Sequence, residues 1–384
     1  MAISGGTFQS NNQKVVQNKR GIFMTHIRRY NEADITNQWR LSCSQDGGRT
    51  FKTLYEATNA TNPPVIETDA ADNIYLMRPD WAKTSLNVRL YRFLSVEDYR
   101  EPHRTAIAKG SSGKYSMVID EARGHLCYYS HNGIFHRVKL DGTLMDTRIM
   151  TKRGKMAVPE YTNMHLDTNG VLHAGWTSLN VPIRRYWGIH HAQSADGGAT
   201  WSTFTGTPLP LPIVADESGP TDRITLDDEF EPSTWLSSML IKDGKAHFLY
   251  YARTTPPRQH HVRMDIATGK REIDHKDTNL KGETLALAGL DGFFAANARK
   301  TGGPLYCISR GKRNDNLACL ISRDNGATWH DYAASSKVNH PYAVGGCRSV
   351  TADGYIIGSF TEVEGTEIKK VRGGKVWFFK IKAE

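Results

Sequence analysis

Apolar and polar residues alternate along short stretches of the chain, and runs with the spacing of an amphipathic helix are nearly absent. Three such stretches, all rich in β-branched and aromatic residues, are Val171–Trp176, Ala246–Tyr251 and Tyr355–Phe360. Each follows a two-residue signal that readily adopts positive φ angles and closes a tight hairpin, namely Asn169-Gly170, Asp243-Gly244 and Asp353-Gly354. The pattern therefore predicts an all-β chain built from antiparallel hairpins.

One octet, Ser-x-Asp-x-Gly-x-Thr-Trp/Phe, occurs three times, at Ser44–Phe51, Ser194–Trp201 and Ser322–Trp329. Within such a segment the Asp carboxylate can accept hydrogen bonds from backbone N–H groups of its own turn, while the Gly permits a left-handed residue. The final aromatic residue can then cover the edge of its sheet. We therefore expect these aspartates to stabilise hairpin tips and to take no part in catalysis.

A second spacing recurs between the octets: an aromatic or polar residue, a strand, a turn, and a strand that ends about 16 residues after the start. Four segments fit this frame, namely Asn62–Arg78, Tyr115–His131, Tyr161–Thr177 and Trp235–Tyr251. A fifth segment, which ends at Arg310, fits it more loosely. Hairpins at Ile22–Arg40 and Arg348–Thr361 bring the total to seven units over 384 residues. Each unit then has about 55 residues, close to a four-stranded propeller blade with its loops.

We therefore predict a single all-β domain over residues 1–384, a seven-bladed β-propeller, with six blades as the alternative. No Pro/Ser/Gly-rich linker divides the chain. Residues Met1–Val16 are expected to supply a closing strand to the last blade.

The composition, with 39% apolar and 23% charged residues, indicates a folded chain, and no apolar run reaches the length of about 18 residues that a membrane span needs. The five cysteines are an odd number and form no CxxC pair, which argues against a disulfide framework or a zinc cluster. A free thiol and a polar N-terminus favour the cytoplasm; secretion stays open because a leader would be absent from a trimmed chain.

The formal net charge is +9, and the basic residues are dispersed, the densest clusters being Lys312-Arg313 and Lys369–Arg372. A dispersed excess suits an anionic ligand better than nucleic acid. We therefore expect an acidic oligosaccharide or polysaccharide as partner, no nucleic acid and no membrane, a monomer, and no required cofactor. The acidic run Asp227–Glu231 is expected to be a solvated loop, with a structural calcium ion as the alternative.

The octets resemble the Asp-box (BNR) repeat of sialidase-like β-propellers, and the hairpin frame is similar to that of propeller polysaccharide lyases such as ulvan lyases and rhamnosyl-glucuronate lyases. Tyr115 matches the tyrosine of the lyase frame, His131 stands where the lyases have arginine, and Asn62 stands near their first histidine. The Phe/Tyr-Arg-Ile-Pro start of sialidases is missing; the nearest segment is Thr25–Tyr30, in which Arg28 would be the first arginine. The resemblance implies a propeller that cleaves an acidic glycan, nearest to the lyases.

In a propeller, residues that start the inner strands and end the next strands converge at one end of the channel. Those positions carry mainly Arg, Tyr, His and Trp, which bind carboxylates, stack on sugars and transfer protons. The predicted catalytic residues are Arg78, Tyr115, His131, Tyr161 and Tyr251. The predicted substrate-binding residues are Asn62, Arg185, Trp187, Trp235, Arg253, Arg310 and Arg348.

For β-elimination from a uronate, His131 would remove the C5 proton. The acid that protonates the leaving oxygen would be Tyr115, Tyr161 or Tyr251. The cation that neutralises the carboxylate would be Arg78, Arg253 or Arg310.

Two rival functions stay open. One is a sialidase-like exo-glycosidase, for example one releasing rhamnose from a uronate. It would need paired carboxylates, for which only Asp80, Asp228 and Glu231 are loop candidates. The other is a glycan-binding propeller without catalysis, in which Tyr161 and Trp235 would simply pack between blades.

Overall fold

The computed structural model describes residues 6–8, 12–29, 37–60, 62–80, 87–109, 114–152, 157–214, 220–225, 233–255, 258–276, 292–297, 300–311, 315–363 and 374–384. Within these ranges nearly all regular structure is β-strand, and the only helical segments are short 3-10 turns at Ser95–Glu97 and His131–Gly133. This is the outcome that the alternating sequence pattern predicts.

The strands form seven antiparallel sheets that follow one another along the chain. Their bounds are: blade 1, β1 (Val15–Asn18), β2 (Gly21–Arg29), β3 (Asn37–Ser44) and β4 (Lys52–Ala60); blade 2, β5 (Val65–Thr68), β6 (Ile74–Asp80), β7 (Asn87–Phe93) and β8 (His103–Lys109); blade 3, β9 (Tyr115–Asp120), β10 (His125–Ser130), β11 (Ile134–Lys139) and β12 (Leu144–Ile149); blade 4, β14 (Ala157–Leu166), β15 (Leu172–Asn180), β16 (Arg185–Ser194) and β18 (Asp222–Arg223); blade 5, β19 (Thr234–Lys242), β20 (Lys245–Ala252), β21 (Arg258–Asp265) and β22 (Arg271–Lys276); blade 6, β23 (Phe293–Ala296), β24 (Leu305–Arg310), β25 (Leu317–Ser322) and β26 (His330–Ala334); blade 7, β27 (Pro341–Gly346), β28 (Tyr355–Val363) and β29 (Gly374–Lys382). Two further strands, β13 (Thr151–Lys152) and β17 (Ile213–Val214), pair in parallel beside them.

The first strand of each blade contacts the first strand of the next, from β1 through to β27, so these strands surround a central channel. The chain is a seven-bladed β-propeller, as the repeat count predicts, and the six-bladed alternative is wrong. We call the end of the ring where first strands begin and second strands finish the upper end. The opposite end, which carries the repeated octets, is the lower end.

The ring closes differently from the expectation. Val15 and Val16 begin β1, the inner strand of blade 1, so they do not extend blade 7. Nearer the N-terminus, the amide of Ile27 donates to the carbonyl of Gly6 at 2.9 Å, and the amide of Thr7 donates to Oγ1 of Thr361 at 3.0 Å. The chain before β1 therefore links blades 1 and 7, while blade 7 has three strands among the described residues. Met1–Gly5 lie outside those residues.

Apolar side chains fill the space between neighbouring blades. Large aromatic residues such as Trp39, Trp176 and Phe248 are fully buried there, each in a separate cluster. Burial of apolar surface contributes about 25 cal/mol per Å², so these contacts hold the blades together. All five cysteines are free thiols, and four of them are buried.

The repeated octets form the local hydrogen bonds that their sequence predicts. At Asp196, Oδ1 accepts from the Thr200 amide at 2.8 Å and from Oγ of Ser194 at 2.8 Å, while Oδ2 accepts from Oγ1 of Thr200 at 2.7 Å. Gly198 has φ of 92°, and a Cβ atom there would lie 2.5 Å from the Phe135 ring. The octets of blades 1 and 6 make the same bonds, so all three are structural turns.

Candidate functional site

The candidate site lies at the upper end, where blades 3 and 4 meet around Glu160. The Glu160 side chain is 5% exposed. Its Oε1 lies 2.9 Å from Nδ1 of His131, and its Oε2 lies 2.5 Å from Nζ of Lys114. The ammonium of Lys114 also sits 4.5 Å from the centre of the Tyr161 ring. A carboxylate, a histidine, a lysine and a tyrosine from two blades thus form one connected group.

The backbone explains why these side chains meet. Strand β9 pairs Tyr115 with Ser130, and the next hydrogen bond runs from the His131 amide to the Lys114 carbonyl at 2.7 Å. Lys114 and His131 are therefore adjacent at the end of blade 3. In blade 4 the pairing of β14 with β15 is interrupted between Glu160 and Asn163, and Tyr161 has a positive φ of 49°. A bulge of this kind changes the direction of side chains at a strand end.

The charges in this group are compensated. Burial alone would raise the pKa of the Glu160 carboxyl, but the hydrogen bond with His131 and the positive charge of Lys114 outweigh it, so the pKa lies below its usual value. Glu160 is thus ionised at neutral pH. Burial, together with the neighbouring Tyr186, raises the pKa of Tyr161 above its usual value, so the Tyr161 phenol keeps its proton.

A row of aromatic rings continues from this group across blades 4 and 5. Tyr161 lies 5.3 Å from Tyr186, Tyr186 lies 5.2 Å from Trp235, and Trp235 stacks on Tyr251 at 5.5 Å between ring centres. We call Tyr161, Tyr186, Trp235 and Tyr251 the aromatic row. The exposed guanidinium of Arg253 lies 5.4 Å from the centre of the Trp235 ring.

The segment that starts β16 adds further groups to the row. Arg184 and Arg185 are exposed, whereas Tyr186 and Trp187 are half-buried. Together with Arg253, these arginines provide positive charge beside amphipathic rings, an arrangement that suits an acidic sugar chain. Of the predicted residues, the structure therefore brings together His131 and Tyr161, and along the row Trp235, Tyr251 and Arg253, whereas Arg185 and Trp187 flank Tyr186 on β16.

Tyr115 does not join this group. It is fully buried against Tyr128 in the interface of blades 2 and 3, and its hydroxyl donates to the Pro63 carbonyl at 2.8 Å and more weakly to that of Asn62. Tyr115 pairs with Ser130 in the ladder of β9 and β10. Its side chain therefore points to the opposite face from that of the preceding residue, Lys114. Tyr115 is therefore a packing residue, and the adjacent Lys114 reaches the site.

Arg78 is also a structural residue. It is 2% exposed, pairs with Asp80 at 2.8 Å and donates to the Pro79 carbonyl at 2.8 Å. Its guanidinium lies 5.4 Å from the centre of the Trp39 ring. These contacts hold the cation inside blades 1 and 2, where a substrate carboxylate would not reach it.

Arg348 lies in the central channel, away from the aromatic row. Its guanidinium pairs with Glu67 at 2.9 Å and donates to the carbonyls of Met164 and Met117. Two further predicted binding residues, Asn62 and Arg310, are buried at blades 2 and 6.

Sequence reasoning missed Lys114 and Glu160. Each immediately precedes a residue that the recurring frame singles out, Tyr115 and Tyr161. The recurring frame thus identified positions one residue away from Lys114 and Glu160, and adjacent residues of a strand point to opposite faces.

Asp227–Glu231, the proposed loop or calcium segment, lies outside the described residues, as do Lys312-Arg313 and Lys369–Arg372. Across the described ranges, no set of three or more His, Cys, Asp or Glu side chains is arranged to hold a metal ion. None of the helical segments described is long and apolar enough to cross a membrane.

Comparison with solved structures finds a similar fold in several polysaccharide lyases. The chain is similar to a PL25 ulvan lyase (TM-score 0.65, 12% identity, covering 100% of this chain and 93% of the other). It is also similar to a PL25 ulvan lyase bound to -[GlcA(1-4)Rha3S]- (TM-score 0.66, 13% identity, 100% and 93% coverage). A third similar structure is the polysaccharide lyase Uly1 (TM-score 0.62, 12% identity, 97% and 90% coverage). At this identity the likeness establishes the shared propeller fold.

No family model matches the chain, and no curated protein matches it in sequence.

Proposed function

We propose that the protein is a lyase that cleaves an acidic, uronate-containing glycan by β-elimination. The observation that carries the proposal is Glu160, an ionised and buried carboxylate that contacts both His131 and Lys114 beside Tyr161. A buried carboxylate that fixes one ring nitrogen of a histidine is a common way to orient a proton-transfer group. The likeness to lyase structures agrees with this assignment.

The proposed reaction needs one base, one acid and one cation. Nε2 of His131 removes the C5 proton of the uronate, and the electron pair of the C5–H bond forms the C4=C5 double bond. The C4–O glycosidic bond breaks, and the Tyr161 hydroxyl gives its proton to the leaving oxygen. No water, oxidant or cofactor is consumed, and solvent returns the proton from His131 to Tyr161.

Lys114 replaces the predicted Arg78 as the cation near the reacting sugar. A positive charge next to the uronate carboxylate stabilises the carbanion-like charge that develops when the C5 proton leaves. Glu160 acts as a positioning residue, because it holds Nδ1 of His131 and leaves proton transfer to Nε2.

The aromatic row provides the binding surface for neighbouring sugars in this proposal. Stacking of sugar rings on Tyr186, Trp235 and Tyr251 would orient the chain. Arg185 and Arg253 would pair with its carboxylates or other anionic groups. The partner is therefore an acidic oligosaccharide or polysaccharide.

A glycosidase reading has less support. Hydrolysis with acid and base carboxylates needs two such groups flanking the bond. In the described part of this site Glu160 is the single carboxylate, and Lys114 and His131 already engage it.

The test is a panel of uronate polysaccharides and rhamnosyl-uronate oligosaccharides, followed by the ultraviolet absorbance of the new C4=C5 bond. We expect absorbance to rise with the wild-type protein and to be lost with His131→Ala. His103→Ala, which removes a half-exposed histidine paired with Glu97 in blade 2, is the matched control and retains the activity. Reducing ends without absorbance would select the glycosidase, and binding without any product would select a glycan-binding propeller.

A further inference from the structure

A cleft of about 830 Å³ lies between blades 7 and 1, across the ring from Glu160. On one side it is bounded by the sheet face of β2, β3 and β4, and on the other by β29. Because blade 7 has three strands among the described residues, β29 is its outermost strand and part of the blade 1 face stays uncovered. The lining residues are Met24, His26, Arg28, Arg40, Ser42, Gly48, Arg49, Phe51, Thr53 and Gly374–Phe378.

The cleft is strongly cationic. Arg28, Arg40 and Arg49 line it on the blade 1 side, and its described lining contains no carboxylate. Arg40 pairs at 2.9 Å with Glu56, which lies beside the cleft and is itself 43% exposed. Within the described lining, the positive charges of Arg28 and Arg49 have no carboxylate beside them.

Alternation along β2 brings these cations together. Met24, His26 and Arg28 face the cleft, while Thr25 and Ile27 are buried toward the core. His26 pairs with Arg40 across the β2–β3 ladder.

The guanidinium of Arg28 also points to a ligand. Its Nε atom is buried and has no hydrogen-bond partner within the described part of the chain. A buried donor left without a partner costs free energy, and a carboxylate that accepts both Nε–H and Nη–H would remove that cost.

Aromatic side chains lie beside these cations. The half-buried rings of Phe51 and Phe378 lie 5.3 Å apart on the side of β29 that faces blade 1. Cations alone would accept any polyanion. Cations combined with the Phe51 and Phe378 rings favour a polymer that has both carboxylates and flat apolar sugar faces.

We propose that this cleft is a second binding site for an acidic glycan chain, separate from the candidate catalytic group. The choice of glycan rests on the proposed function, whereas the anion site itself does not. Two sites on one protein raise the effective concentration of a long polymer near the catalytic group, but they do not help a short oligosaccharide that occupies one site at a time.

The experiment is affinity electrophoresis in gels that contain polygalacturonate, with the protein in its His131→Ala form so that the polymer is not cut. The double variant Arg28→Gln/Arg49→Gln is compared with Arg100→Gln/Arg104→Gln. The latter removes the same charge from exposed arginines of blade 2. We expect the first pair to weaken retention about tenfold, because two charge-assisted hydrogen bonds are lost, and the control pair to change it less than about twofold.

Arg49→Gln alone keeps the proposal testable if Arg28→Gln impairs folding, since Arg49 is an exposed residue of a turn. It is expected to weaken retention in the same direction. Equal loss in the control pair would reduce the effect to net charge and overturn the proposal. The proposal would also be overturned by unchanged retention of the Arg28→Gln/Arg49→Gln variant or by equally strong retention in gels that contain poly-glutamate. Self-association of the protein that this double variant abolishes would overturn it as well.

This result is independent of the catalytic test. Retention that depends on Arg28 and Arg49 in a protein without lyase activity would sustain the second site and remove the proposed function. Lyase activity together with retention that does not depend on Arg28 or Arg49 would sustain the proposed function and remove the second site.

Discussion

Glu67 and Glu160 are both buried glutamates on inner strands, β5 and β14, and each pairs with a cation from another blade. Their titration behaviour is opposite. Burial raises the pKa of Glu67 to about 7, although Arg348 opposes the shift. At Glu160 the neighbouring His131 and Lys114 outweigh burial and lower the pKa.

The difference reflects what each carboxylate does. Arg348 extends from blade 7 across the channel to Glu67 in blade 2 and to the carbonyls of Met117 and Met164 in blades 3 and 4, and its amide donates to Gln13. Glu67 is thus part of a tie that holds the inner strands together. Glu160 instead holds a histidine at the ring's upper end. Burial of a carboxylate alone does not distinguish the two roles, whereas the number and type of its partners do.

The largest expected effect comes from breaking the channel tie. Arg348→Met leaves Glu67 buried without its cation, and removal of one partner of a buried pair costs about 3–5 kcal/mol of folding free energy. Lys114→Met, the matched change at Glu160, leaves the buried carboxylate in contact with His131 and is expected to cost about 1–3 kcal/mol. Urea denaturation measures both, and equal losses would contradict the comparison.

The pH dependence of stability should have opposite signs at the two glutamates. The folded state binds the Glu67 proton more tightly than the unfolded chain does, so the contribution of Glu67 relative to Glu67→Gln is lost as pH rises from about 4.5 to about 7. The change is on the order of 3 kcal/mol.

For Glu160 the lowered pKa means that its contribution is present above the unfolded value and is lost only as pH falls below about 4.5. The difference between wild type and Glu160→Gln is therefore flat from about pH 5 to about pH 8. Denaturant midpoints across this range provide the measurement. If the midpoints of Glu67→Gln and Glu160→Gln changed with pH in parallel, the two glutamates would not differ in their titration.

Activity should also distinguish the two variants, with a large loss for Glu160→Gln and none for Glu67→Gln. Glu160→Gln removes the negative charge that orients His131, and we expect kcat to fall about 100-fold. Glu67→Gln leaves the upper end unchanged and retains wild-type kcat in folded protein. Steady-state kinetics of both on one uronate substrate test this, and a comparable drop in Glu67→Gln would place the channel in the catalytic machinery.

The smallest effect concerns a carboxylate whose partners are all local. Asp196→Ala removes the acceptor for Thr200 and Ser194 within one turn, at an expected cost of about 1 kcal/mol. Activity should not change, because the turn lies at the lower end. Thermal unfolding compared with turnover checks both points, and lost activity at full stability would contradict a purely structural turn.

The sequence was sufficient for the fold because its signals are local. Pairs such as Asn169-Gly170 mark hairpins, and Asp196 finds its partners within a few residues. Counting such units predicts seven blades. The closure at Val15 was not predictable in this way, since a short strand gives no indication of which blade it joins.

The site was predicted only in part because its contacts join distant segments. His131 and Tyr161 were identified, but their link, Glu160, depends on a bulge that alternation alone does not reveal. The one-residue difference between Tyr115 and Lys114 decides which side chain reaches the upper end. Arg348 occupies a comparable place in its repeat and crosses the channel instead, which only the three-dimensional arrangement shows.

The central claim is that the His131–Glu160 group carries out an elimination. The most direct measurement is cleavage of a uronate oligosaccharide in heavy-oxygen water, with mass spectrometry of both products. Elimination predicts an unsaturated uronate product and no solvent oxygen in either fragment, and no fragments with His131→Ala. Incorporation of solvent oxygen into a cleaved fragment would contradict it, because that outcome requires hydrolysis.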